Sequence, residues 1–124
     1  MKKRGLVLFA HGARDPRWAE PFERLQQRVR ALAPDAEVRL CYLELMHPNL
    51  EGAIDELVAL GVELVRVVPV FLGQGGHVRR DLPGLIAGVQ GRFAGITISV
   101  AAPAGEDGGV LDALARYCVG RRGD

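Results

Sequence analysis

"LVRVVPVFLGQGGHVRRDLP", residues 64–83, decides the fold. Its first nine residues are apolar except for Arg66, and they run directly into "GQGGH" and two arginines. An apolar run of this length closed by glycines is the pattern of a strand buried on both faces of a parallel sheet. It predicts a central strand over 64–72. Pro69 lies inside that run and removes a ladder hydrogen bond, which points to a bulge there.

Three further apolar runs, 5–10, 37–43 and 96–101, predict the other strands, and the segments between them carry helical spacing. Trp18, Phe22, Leu25, Val29 and Leu32 fall on one helical stripe, with Asp15 and Pro16 as cap and first-turn residues. Pro21 either kinks this helix or marks its true start. A second helix begins near Pro48, turns Leu50, Ile54, Leu57 and Val58 inward and stops at Gly61. A third covers 82–89 or begins earlier, a fourth covers 110–118, and 120–124 read as a flexible tail. Strand and helix alternating four times predict an α/β fold, a four-stranded parallel sheet with helices on both faces. In the order 2-1-3-4 the winding reverses between strands one and three. Ligands bind at such a reversal, on the edge where the strands end.

That edge collects the chemistry. His11, in "LVLFAHGARDP", ends the first strand, and His77 follows the third; they are two of the three histidines in the chain. Imidazole ligates divalent transition metals and exchanges protons near neutral pH. A loop histidine alone more often caps a helix or sits in solvent, but two at matching strand ends favour a shared site. Glu44 follows strand two and reads equally as a carboxylate of the site or as a solvated loop acid. His47, just before Pro48, reads as a surface residue at a helix start. Arg14, Arg79 and Arg80 surround the crevice with donors suited to carboxylates, at least one of them serving solubility alone. Gly73, Gly75 and Gly76 permit positive φ or close approach of a ligand. Their spacing fits neither G-x-G-x-x-G nor G-x-x-x-x-G-K-[ST], so no nucleotide is expected.

Composition bounds the remaining classes. At 124 residues the chain is expected to form one domain, 1–124, with 48% hydrophobic and 25% charged residues, as in soluble globular proteins. A net charge of +1 gives no bulk attraction to nucleic acid. The apolar run Leu6–Ala10 is too short for a signal peptide or a membrane span. Cys41 and Cys118 are the only cysteines, which excludes a disulfide framework, suits a reducing cytoplasm and leaves both as packing residues. The only serine, Ser99, and the only threonine, Thr97, fall within a strand, so neither is a loop-tip nucleophile. "AHGAR" lacks the arginine before the histidine that phosphohistidine mutases and phosphatases need, because Ala10 stands there.

"LFAHGARDP", "YLELMHPNLEGAIDEL" and "VVPVFLGQGGHVRRDLP" together resemble the small class II chelatases of the CbiX type, the sirohydrochlorin cobaltochelatases and ferrochelatases. The similarity runs from about Leu6 to Pro83 and continues more faintly to Leu114. It implies the flavodoxin-like chelatase fold and an enzyme that inserts a divalent metal, Co²⁺ first and Fe²⁺ or Ni²⁺ next, into a sirohydrochlorin-type tetrapyrrole without ATP. Such a lyase serves cobalamin or siroheme biosynthesis. By position, His11 and His77 match the family's metal-site histidines and Glu44 an acidic position. Ala13 stands where serine is usual, and Arg79 where lysine is frequent. The acidic macrocycle gives Arg14, Arg79 and Arg80 a task, and Gly75 and Gly76 give it clearance. The resemblance also implies a homodimer, since longer relatives carry two such units in tandem. A protein that stores or delivers the metal without catalysis is the alternative.

Overall fold

The structure, a computed structural model, describes residues 2–73 and 75–121, with the backbone alone at Gly76 and His77. The tail expected over 120–124 lies outside the described residues from 122 onward. Four strands, β1 (Arg4–Ala10), β2 (Glu37–Tyr42), β3 (Leu64–Pro69) and β4 (Thr97–Val100), form a parallel sheet in the order β2-β1-β3-β4. The expected winding is therefore observed, with β1 and β3 adjacent at the reversal.

The alternation of side chains along each strand divides the core in two. On one face Val7, Phe9, Cys41, Val65 and Val67 meet α2 (Leu50–Ala59) and α3 (Gly76–Arg92) through Leu50, Ile54, Leu57 and Val89. On the other, Leu8, Ala10, Val38, Leu40 and Tyr42 receive Phe22, Leu25 and Val29 of α1 (Glu20–Leu32). Each fully buried side chain such as Ile54 or Leu57 contributes about 1.5–3 kcal/mol by leaving water. The last helix, α4 (Gly108–Val119), has no buried residue, and its Leu111, Tyr117 and Val119 are exposed. No helix among the described residues is long and apolar enough to cross a membrane.

β3 ends at Pro69, three residues before the expected end, and the expected bulge is absent. Its register against β1 advances residue for residue from Arg4↔Leu64 to Phe9↔Pro69. The Val70 amide donates to the Phe9 carbonyl at 2.8 Å, so the Pro69 nitrogen, one residue back, faces β4 instead. There the ladder has already ended at Val67↔Val100, and the missing donor costs nothing.

Pro21 proves to be the second residue of α1 and marks its true start. Before it, Asp15 caps a single 3-10 turn, Pro16–Ala19, by accepting from the Arg17 amide at 2.9 Å. α3 extends well beyond 82–89 in both directions and carries Pro83 inside it. Pro83 is exposed, so the Arg79 carbonyl that loses its helical donor lies on an exposed side. Thr97 and Ser99 lie within β4, as expected.

Candidate functional site

The first pillar of the site is the end of β1. Beyond the sheet the ladder to β2 continues in the loops: the Leu43 amide donates to the Ala10 carbonyl at 2.8 Å, and the Glu44 amide to the His11 carbonyl at 3.1 Å. Gly12 makes this approach feasible. It adopts φ +95°, and a Cβ there would lie 1.9 Å from the Glu44 carbonyl oxygen. His11 and Glu44 are thus neighbours held together by backbone, although 33 positions separate them in the sequence. The loop then closes as the Tyr42 amide donates to the Pro48 carbonyl at 2.9 Å. Within it Leu45 is 60% exposed and takes φ +68°, a costly conformation for a branched side chain.

The second pillar is the end of β3. Phe71 is 5% exposed and packs into the core against Phe9, with ring centroids 5.9 Å apart. Its ring also meets the His11 imidazole at a centroid distance of 4.2 Å and a tilt of 34°. After Phe71 the chain emerges through exposed Leu72 and Gly73 to Gly75, the cap of α3. Gly75 supplies no side-chain acceptor, so among the described residues no side chain caps the first amides of α3, where the helix dipole favours negative charge. His77 is the second residue of α3; its side chain lies outside the described residues.

Around these pillars the expected residues separate. Glu44, with Leu43, Val78, Asp81 and Leu82, lines a pocket of about 220 Å³ on the α2–α3 side of the sheet. Arg14 instead lines a cleft of about 500 Å³ on the α1 side, with Glu23, Tyr42, Met46 and His47. On α3, Arg80 and Asp81 follow His77 by three and four positions and share its helix face, while Arg79 lies roughly 200° around the helix. Among the described residues Arg14 and Arg79 form no ion pair. Gly73 and Gly75 do not take positive φ, and a Cβ at either would meet nothing within 4 Å. Their contribution is open space rather than a strained turn. His47 is exposed beside the start of α2, as expected.

Two participants escaped the sequence reading. Asp81 carried a signal, its spacing of four from His77 along a helix. Phe71 carried none, because an aromatic residue in an apolar run reads as strand. Among the described residues no three His, Cys, Asp or Glu side chains converge as a metal cluster. The cysteines stand aside: burial pushes the Cys41 thiol up to about 12, far from the thiolate that binds metal. Cys118 is exposed on α4 rather than packed, a correction to the expectation for that residue.

The CbiX family model matches residues 5–118. The sirohydrochlorin cobaltochelatase of Methanothermobacter thermautotrophicus is 37% identical over 92 residues, which take in 72% of this chain and 64% of that one. The chain thus spans less than two thirds of that relative's length. A crystal structure named for a cobalamin (vitamin B12) biosynthesis CbiX protein of Marinobacter aquaeolei VT8 superposes with a TM-score of 0.81 at 34% identity. The match covers 94% of this chain and 93% of the other. The sirohydrochlorin chelatase SirB of Bacillus subtilis subspecies spizizenii, solved in complex with cobalt, gives a TM-score of 0.79 at 26% identity. That match covers 91% of this chain and 48% of SirB.

Proposed function

We propose, from the premise that the chain belongs to the CbiX family, that it is a sirohydrochlorin chelatase that inserts Co²⁺ into the macrocycle without a nucleotide. Fe²⁺ and Ni²⁺ are the next substrates in line. The observation that carries this reading is the meeting of His11 with Phe71 at the β1–β3 reversal, six residues before His77 in the first turn of α3. That supports a shared rim for the two histidine positions, beside the Glu44 backbone that bonds to His11.

Insertion exchanges two pyrrole N–H protons for one divalent ion, and the ion gives up water as the ring nitrogens take its place. An imidazole at the rim holds the ion while it desolvates. The second imidazole or the Glu44 carboxylate takes up the protons and passes them to water. Sirohydrochlorin is a polycarboxylate, and Arg14 and Arg80 supply guanidinium groups on two sides of the rim, with Arg79 further around α3. The open space at Gly73 and Gly75 leaves room for a flat ring. Gly76, the first residue of α3, adds to that clearance by following Gly75 directly.

The whole chain, 1–124, serves as one chelatase unit, and two copies form a homodimer. The exposed Leu111, Tyr117 and Val119 of α4 supply the apolar surface that a second copy covers. Two free cysteines support a reducing cytoplasm as its location.

Anaerobic incubation with sirohydrochlorin and Co²⁺, Fe²⁺ or Ni²⁺ in turn, followed by absorbance, tests the activity. Insertion faster than the protein-free control is expected, and His11→Ala and His77→Ala each abolish it while far-UV circular dichroism is retained. Tight Co²⁺ binding without acceleration would make the protein a metal carrier. Undiminished turnover in both variants would move the site elsewhere.

A further inference from the structure

We propose that Phe71 is the positioning residue for His11, an aromatic platform that fixes the imidazole plane at the rim. The inference rests on the reading of His11 as a metal-site residue.

Metal-binding histidines are usually oriented by a hydrogen bond from the ring nitrogen that does not touch the ion. Among the described residues no hydrogen bond reaches the His11 imidazole. Its one aromatic neighbour among them is the Phe71 ring, at 4.2 Å and 34°. Stacking therefore does the work that a hydrogen bond does elsewhere, and among the described residues it leaves both ring nitrogens open. One faces the ion, and the other is available to the pyrrole protons.

A platform must itself be immobile, and Phe71 is held from three sides. Next to it in the chain, Val70 is bonded to Phe9 of β1 at 2.8 Å. Beneath it, the Phe9 ring packs at 5.9 Å and 58°. From the β4 side, the Gly105 amide donates to the Phe71 carbonyl at 2.9 Å. Gly105 can approach because it has no side chain: a Cβ there would lie 1.6 Å from the Leu72 carbonyl oxygen. The segment after β4, "PAGED" at 103–107, thus acts on the site at one remove, as the brace behind the platform.

The test compares Phe71→Leu, which removes the ring, with Phe71→Tyr, which keeps it. The readouts are Co²⁺ affinity by titration, cobalt insertion kinetics, and the NMR resonances of the His11 ring CH groups, identified by their loss in His11→Ala. A stacked ring pair is worth roughly threefold to tenfold in an equilibrium constant. Phe71→Leu should weaken Co²⁺ binding by about that factor, lower kcat with KM for sirohydrochlorin unchanged, and move the His11 resonances to those of an unstacked imidazole. Phe71→Tyr should preserve all three. Should Phe71→Leu not fold, Phe71→Met makes the same comparison with closer volume. Unshifted His11 resonances and unchanged Co²⁺ affinity in a folded ringless variant would overturn the platform. If His11→Ala itself leaves Co²⁺ affinity and insertion intact, the underlying site assignment fails instead.

Discussion

Alanine at Gly12 would put a methyl group 1.9 Å from the Glu44 carbonyl oxygen on a backbone with φ +95°. Two penalties combine. A residue with a Cβ in the left-handed region costs about 1–2 kcal/mol. Relieving the overlap requires the Glu44 backbone to move away by more than an ångström, which breaks the Glu44 amide to His11 carbonyl bond and forfeits about 1 kcal/mol more. The sum, less what alanine's restriction of the unfolded chain returns, is about 2 kcal/mol of lost stability. Three other glycines isolate the components. Gly61 has φ +83° with nothing within 4 Å, so Gly61→Ala should carry the conformational cost alone, about 1 kcal/mol after alanine's restriction of the unfolded chain. Gly105 has the overlap without the positive φ, and Gly75 has neither. Gly75→Ala should change stability by less than about 0.5 kcal/mol. Urea unfolding followed by far-UV circular dichroism, with the slope constant across the set, measures the series. A Gly12→Ala variant no less stable than Gly61→Ala would mean that the Glu44 backbone is free to move and is not held against His11.

Asn49 caps α2 by accepting from the Gly52 amide at 2.8 Å, and Asn49→Ala should cost about 1 kcal/mol in the same urea assay, while Asn49→Ser retains most of it. The thiols should react very differently. Cys41 keeps its proton until pH approaches about 12 and is buried, so iodoacetamide at pH 8 should label only Cys118 in the folded protein and both cysteines in urea, as read by mass spectrometry. Rapid double labelling of the folded protein would show that β2 opens readily.

The winding was legible because it rests on local patterns: apolar runs of strand length, and apolar stripes at helical spacing between them. The errors fall where a residue's neighbours, not its own chemistry, decide its role. Val70, Phe71 and Leu72 continue the apolar run of β3, yet Phe71 serves to pack beneath His11 and Leu72 is exposed. α3 was read short because Pro83, Gly84, Gly88 and Gly91 lower its helical signal, while burial of Val78 and Val89 against the sheet holds it. His11 and His77 were legible as strand-end histidines. The bond between Glu44 and His11 was not, since it depends on the register of β2 against β1. Leu45 bears no mark of a positive φ, which glycine or asparagine would have advertised.

The position of β1, paired on both sides while α4 has no fully buried residue, divides the molecule by how easily its parts open. An amide on β1 loses its partner only when β2 or β3 separates from the sheet, so its exchange with solvent deuterium requires opening close to global unfolding. Amides of α4 have no fully buried side chain to hold them and exchange through local fraying. His11 is thus attached to the slowest-opening part of the chain, and the rim keeps its geometry through excursions that melt the last helix.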